Sequence, residues 1–270
     1  MSQEEKKAEG RIPMPKPNFK VDANPGSHVR KMIAVVSGKG GVGKSSVTGM
    51  CALWSLHHGY KTAVLDADIT GPSIPRMFNV SSEDVSGTDK VLYPAETPAG
   101  IKIMSMNLLM TDENQPVIWR ASLISGAVKQ FWTDVEWGDV DYMFVDMPPG
   151  TGDVPLTVFQ SLPVDGIIIV TTPQDLVGMI VKKAIGMAKM MEVPILGIVE
   201  NMSYVKCPHC GEEIRIFGES HLEEIAGAAG IPVIGKLAMD QEFAAACDEG
   251  TVEYYDKVML DGLESVLPKL

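Results

Sequence analysis

No stretch of the 270-residue chain approaches the roughly 20 consecutive apolar residues that cross a bilayer. The opening MSQEEKKAEGRIPMPKPNFKVDANPGSH has no apolar signal-peptide core, so export is not expected and a cytoplasmic setting is. Positive charge is also scarce. Against 35 Asp and Glu stand 23 Lys and Arg, a formal net charge of −12. Proteins that grip phosphate backbones or anionic lipid without specificity carry the opposite sign, which argues against nucleic acid and membrane as partners. Cysteine is sparse too: four residues make no disulfide framework, and a chain without an export signal is expected to keep its thiols reduced. Internal repeats are absent.

What is present is ordinary globular material, 45% hydrophobic and 21% charged. Residues 1–28 are rich in Pro, Lys and Glu without periodicity and read as a flexible arm. Beyond them, short and almost wholly apolar runs at 32–38, 61–68, 142–148, 166–173, 195–201 and 231–237 fit strands covered on both faces. Helical patterns at 44–58, 122–135, 176–191 and 221–229 fall between them. This alternation predicts a single α/β domain over 29–270, a doubly wound, mostly parallel sheet with helices on both faces.

The first apolar run ends in Gly38, Lys39, Gly40, Gly41, Val42, Gly43, Lys44 and Ser45, which complete the G-x-x-x-x-G-K-[ST] phosphate loop between a strand and a helix. Glycines let successive backbone N–H groups face phosphate oxygens, and the helix N-terminus adds a positive dipole end. Lys44 is expected to reach the β- and γ-phosphates, Ser45 to ligate Mg²⁺, and Ser46 to lie in the same cradle. Carboxylates end two other strand runs: Asp66 and Asp68 in VLDAD, and Asp146 in FVDMPPGTGD. The mouth of an α/β sheet is where ligand-facing acids gather. Asp146 fits the acid that holds Mg²⁺, with Asp66 supporting the metal shell. No Asn-Lys-x-Asp guanine signature occurs, so ATP is the expected nucleotide, with Asn201 placed to bond the adenine edge.

A different chemistry begins at residues 203–218. Cys207-Pro208-His209-Cys210 places two thiolates three residues apart, half of a tetrahedral metal site, and no second Cys-x-x-Cys exists. Two completions stay open. His209 and His221 could join the cysteines around a structural zinc, or a second copy of the turn could supply the other pair. Cys51 and Cys247 sit in apolar helical runs and read as small core residues.

The Lys39 next to the loop's first glycine is the deviant form of the motif, which resembles the MinD, ParA and nitrogenase iron-protein class of P-loop ATPases. In that class the resemblance implies that Lys39 reaches across a dimer to the other subunit's nucleotide, and that Asp68 orients the attacking water. More narrowly, SGKGGVGKSSV, DADITGPSIPRMF, VDMPPGTGD, ENMSY and CPHCG, in this order, are similar to the Mrp/ApbC family of P-loop iron–sulfur cluster carriers. The likeness spans residue 32 to the C-terminus. It implies a homodimer that binds ATP, hydrolyses it slowly, and holds a labile 4Fe–4S cluster between subunits through Cys207 and Cys210, for delivery to apo iron–sulfur proteins. Zinc is a conceivable substitute for iron in such a site. The chain departs from that family's usual Arg-Gly-Pro at Arg120-Ala121-Ser122, and no cysteine precedes Cys51, so the N-terminal cluster motif of some relatives is missing.

A competing reading is a MinD- or ParA-like positioning ATPase that docks on a surface through an amphipathic helix. The segment 252–270 carries an apolar stripe at Tyr255, Met259, Leu263 and Leu267, but its polar face is acidic, which favours packing against the sheet. The 17 methionines fall mostly in apolar runs and read as core filling.

Overall fold

Six consecutive buried residues, Met32 to Ser37, make the first strand the axis of the molecule. The computed structural model describes residues 19–68, 73–88, 90–109, 121–150, 152–174 and 177–270. Along β1 (His28–Ser37) the side chains alternate as a pleated strand requires. Ile33 and Val35 enter one apolar core; Met32, Ala34 and Val36 enter another on the opposite face. Strand-helix alternation then runs through α1 (Lys44–His57), β2 (Thr62–Asp66), the short α2 (Ser73–Met77), two minor strands β3 (Ser86–Gly87) and β4 (Leu92–Tyr93), β5 (Ala95–Glu96) and β6 (Lys102–Ser105). The second half holds α3 (Ala121–Thr133), β7 (Asp139–Asp146), α4 (Asp153–Ser161), β8 (Gly166–Thr171), α5 (Val177–Met191), β9 (Ile195–Lys206), β10 (Glu213–Ile214), α6 (Leu222–Ala229), β11 (Val233–Ala238), α7 (Gln241–Glu249) and α8 (Leu263–Val266).

Nine of the described strands form one sheet in the order β10-β9-β8-β1-β7-β2-β6-β5, with β11 also on β9. Pairing is parallel except for β5 on β6 and β10 on β9. The doubly wound α/β expectation holds. Helices α1, α2 and α7 close one face, with Leu53, Trp54, Met77 and Phe243 in the core; α3, α4, α5 and α6 close the other, with Phe131, Phe159, Val181 and Leu222. From β1 the chain first moves toward β2 and β6, later to the other side through β8 and β9. Such a reversal leaves a crevice at the strand C-termini, where α/β proteins bind ligands.

Three details differ from the sequence-based expectations. β9 does not stop at 201 but continues to Lys206, because its last residues pair with β10 instead of β8. The segment 252–270 is not one helix: a 3-10 turn at Val252–Tyr254 and the single turn of α8 are separated by extended chain. Leu260, off the supposed stripe, is fully buried, so the segment lays residues 255, 260, 263 and 267 into the core by irregular spacing. Core packing was the right role for it, and the helix was the wrong shape. Before β1, the Val21 and Asn24 amides donate to the carbonyls of Ser161 and Trp132 at 3.0 Å, within the stretch read as an arm. Residues 1–18, the departure at Arg120, and the segments 69–72 and 110–120 lie outside the described residues.

Candidate functional site

The turn after β1 is shaped by two glycines in the left-handed region, Gly41 and Gly43, both at φ 76°. A Cβ at Gly43 would also meet the Asn201 side-chain amide, so another residue there would be strained and would displace Asn201. Gly43 sits at the N-cap of α1 without any side-chain cap, which leaves the first amides of the helix directed at a ligand. A cavity of about 260 Å³ opens there, lined by Gly40, Gly41, Gly43, Lys44, Ser45, Ser46, Asp68 and Pro149 among others.

Below it the acids converge. Register places Asp66 of β2 directly beside Asp146 of β7. Both are buried, and the Lys44 ammonium lies 2.7 Å from Asp146 Oδ1 and 3.3 Å from Asp68 Oδ2. The Ser45 hydroxyl donates to Asp146 Oδ2 at 2.6 Å, and the Thr48 hydroxyl lies 2.8 Å from Oδ1. Asp66 accepts from the Asp68 N–H and the Ser105 hydroxyl, each at 3.0 Å. Burial first, and the neighbouring Asp146 second, push the Asp66 carboxyl well above the usual carboxylate range. Three acids facing one lysine make a pocket with surplus negative charge. With the Ser45 hydroxyl beside them, these hard oxygen donors fit a magnesium ion.

Lys39 stands apart from this cluster. Its ammonium donates to the Gln174 side-chain oxygen, and among the described residues it forms no ion pair with an acid. Asn201 is also committed: its amide donates to the Val42 carbonyl at 3.0 Å, and its oxygen accepts from the Met202 N–H at 3.0 Å. In this structure it braces the phosphate loop from behind.

Sequence reasoning missed the second cavity, about 510 Å³, which shares Ser46 with the first. Met50, Asn201, Met202, Met239, Asp240 and Phe243 line it. Its signal was available, since Met239 and Asp240 follow the C-terminal end of β11. Asp240 caps α7, accepting from the Glu242 and Phe243 amides and from the Tyr255 hydroxyl, which fixes that wall. Cys247 lines the same wall half-buried, less enclosed than expected, whereas Cys51 is fully buried as expected.

The cysteine turn lies at the far end of β9. Val205 and Lys206 pair antiparallel with β10, so Cys207 to Glu212 is the tip of a hairpin. The Cys207 N–H donates to the Glu212 carbonyl and the Gly211 N–H to the Cys207 carbonyl, both at 2.9 Å, with Gly211 at φ 75° closing the turn. Cys207 is half-buried and Cys210 exposed, and all four cysteines are free. The backbone amides of Cys210 and His209 point at the Cys207 sulfur and hold its thiol below the usual range, the state a metal ligand needs. Among the described residues no His, Cys, Asp or Glu side chain joins Cys207 and Cys210 in a group of three that could hold a metal. His209 and His221 do not gather with the two cysteines in this structure, as a structural zinc held within one chain would require. The surface-docking alternative loses its amphipathic helix, and among the described residues no helix is long and apolar enough to cross a membrane.

The sequence profile of the ParA-group family described as NUBPL iron-transfer P-loop NTPase matches residues 28–267. The chain belongs to this family. This P-loop NTPase is 46% identical over 235 residues to an iron–sulfur cluster carrier protein of Clostridium perfringens, covering 84% of this chain and 82% of that one. It is likewise 46% identical over 225 residues to an iron–sulfur cluster carrier protein of Methanocaldococcus jannaschii, covering 83% and 78%. A solved nucleotide-binding protein of Archaeoglobus fulgidus, in complex with ADP and with cobalt found in it, superposes with a TM-score of 0.78 at 42% identity over 90% of this chain and 93% of the other. A MinC:MinD complex of Aquifex aeolicus, 18% identical with a TM-score of 0.58 over 82% and 86%, shares the fold.

Proposed function

We propose that the protein is an ATP-dependent carrier of iron–sulfur clusters, working as a homodimer in a reducing, cytoplasmic setting and delivering a 4Fe–4S cluster to apo-proteins. One observation carries the reading: a member of an iron-transfer NTPase family presents two free thiols on an exposed hairpin, and among the described residues no third ligand joins them. A cluster of this kind takes four thiolates, the number two copies of the turn supply. A surface loop close to a two-fold axis meets its own copy, so with the turn placed there the missing half-site is this turn on a second subunit.

At the other end, the Gly38–Ser46 loop holds the phosphates, and the cavity by Asn201 and Met239 takes the adenine. Magnesium, when bound, neutralises the phosphates, and Ser45, Asp146 and Asp66 are the residues that would hold it. Asp68 orients the attacking water. Lys44 leaves its acid partners for the β- and γ-phosphates. Lys39 leaves Gln174 and reaches the nucleotide of the facing subunit, so hydrolysis is slow until two chains meet.

Anaerobic reconstitution followed by iron analysis and size measurement tests the reading. One cluster per dimer, about two irons per polypeptide, is expected from the four-thiolate count. Loss of that iron in Cys207→Ser and in Cys210→Ser, with ADP binding retained, completes the expectation. Four irons per monomer, or iron retained by either variant, would place the ligands elsewhere.

A further inference from the structure

A carboxylate buried without a cation is costly, and its presence asks for a reason. Glu200 of β9 is fully buried, and among the described residues no lysine, arginine or histidine forms an ion pair with it. Its partners are hydroxyls. Ser203 Oγ lies 2.9 Å from Oε2 and 3.0 Å from the Glu200 carbonyl, with a single proton to donate. Ser220 Oγ donates to Oε1 and accepts from the Leu222 N–H at 3.1 Å, at the start of α6. Ser203 lies on the strand running out to the cysteine turn, and Ser220 on the chain running back. One carboxylate therefore closes the neck of the excursion that carries Cys207 and Cys210.

The next two residues face the other site. Asn201 holds the Val42 carbonyl of the phosphate loop. Met202 sits at φ 58°, a sparsely populated region for a side-chain-bearing residue, and the pairing of β9 with β11 is irregular between Glu200 and Tyr204. A ligand that shifts Val42 must pull on Asn201, and the strained Met202 gives the backbone a place to yield. Glu200, peptide-bonded to Asn201, would then carry the change to Ser203 and Ser220.

We infer that Glu200 is a positioning residue for the cysteine turn and that residues 200–202 transmit nucleotide occupancy to it. The inference rests on the proposed roles of the two sites. Amide hydrogen exchange of residues 203–220, measured by mass spectrometry with and without saturating Mg-ADP, tests it. In the unmodified protein ADP is expected to change exchange severalfold in the turn. Ser220→Ala removes one oxygen that touches neither cysteine nor the phosphate loop. It should speed basal exchange there about tenfold, the loss of one hydrogen bond to a charged group. It should also abolish the ADP response, while calorimetric ADP affinity stays within about twofold, as for a distant site. Ser220→Thr, which keeps the hydroxyl, should restore the response; Glu200→Gln should match Ser220→Ala. An ADP response that survives Ser220→Ala, or is absent from an unmodified protein that binds ADP, overturns the inference. Failure to bind ADP at all removes the nucleotide reading, and this inference with it.

Discussion

The phosphate loop follows β1 and the cysteine turn follows β9, and the two are built in opposite ways. Around the loop nearly every polar group is enclosed and engaged. Lys44 bridges Asp68 and Asp146, Ser45 and Thr48 hold Asp146, and Asn201 holds Val42. Around the turn, two backbone hydrogen bonds and a two-residue ladder suffice, and Cys210 is open to solvent. A site that must exclude water around a triphosphate needs a rigid, prepaid enclosure. A site that gives away its cargo needs access, and little of the fold's stability can depend on it. The contrast teaches that stability and ligand exchange have been assigned to different loops, one after β1 and one after β9.

The sharpest way to break this contrast is Lys44→Ala. Removing the cation strands neighbouring buried acids, so the nucleotide-free protein should lose about 3–5 kcal/mol, the cost of breaking a buried pair. Thermal melting reads that loss, and calorimetry should show no ADP heat. A variant that melts normally would mean that the acids are not held by Lys44.

Asp66→Asn probes the same enclosure from the other direction. Burial and then Asp146 raise the Asp66 pKa in the folded state, so the folded chain holds that proton more tightly than the unfolded one. Stability without nucleotide should therefore rise as pH falls from above the raised value toward the ordinary carboxylate range near about 4. Asn removes the dependence and should stabilise the nucleotide-free protein by about 1 kcal/mol, or roughly 2–4 °C in melting temperature, while weakening its hold on magnesium. Melts of both proteins between neutral and mildly acidic pH check this, and an unchanged slope in the variant would clear Asp66 of the effect.

Thiol labelling sharpens the comparison within one residue type. Burial, and then Asp248, lift the Cys247 thiol to about 11, and burial raises Cys51 further, whereas Cys207 is lowered by the amides aimed at its sulfur. Because the thiolate is the reacting form, iodoacetamide at neutral pH should modify Cys207 at least about tenfold faster than Cys247. Peptide mapping over time gives the order, and Cys247 reacting first would contradict it. The smallest effect is expected from Cys207→Ser. An exposed turn should change stability by no more than about 0.5 kcal/mol, even though the variant is expected to carry no iron.

How much of this was legible beforehand follows the range of each interaction. The phosphate loop, its strand-helix setting and the three acids were readable because glycine geometry and strand-end position are local properties. Asp66, Asp68, Asp146, Lys44 and Ser45 do assemble. Asn201 was picked out for the adenine edge, but its bond to Val42 joins residues 159 positions apart and leaves no local pattern. Glu200 went unnoticed for the same reason: between apolar strand residues, a carboxylate looks like a strand end until both of its hydroxyl partners are seen. The segment 252–270 misled because an apolar residue every fourth position suits a helix equally well when tertiary packing, here Tyr255 on Asp240 and Tyr142 on the Pro268 carbonyl, dictates an extended path.

The additional length of β9 has a further consequence, in coordination chemistry. At about 3.3 Å per residue, the six residues from Asn201 to Cys207 span at most roughly 20 Å. Polyphosphates are chelators, and their hard oxygens compete with sulfur for iron. A polypeptide carrying both a triphosphate and an exposed iron cluster would risk stripping its own cargo. By continuing to Lys206 before it turns, β9 sets Cys207 six residues along the chain from Asn201, and on the proposed roles of the two sites that spacing would hold the sulfur donors apart from the phosphate tail.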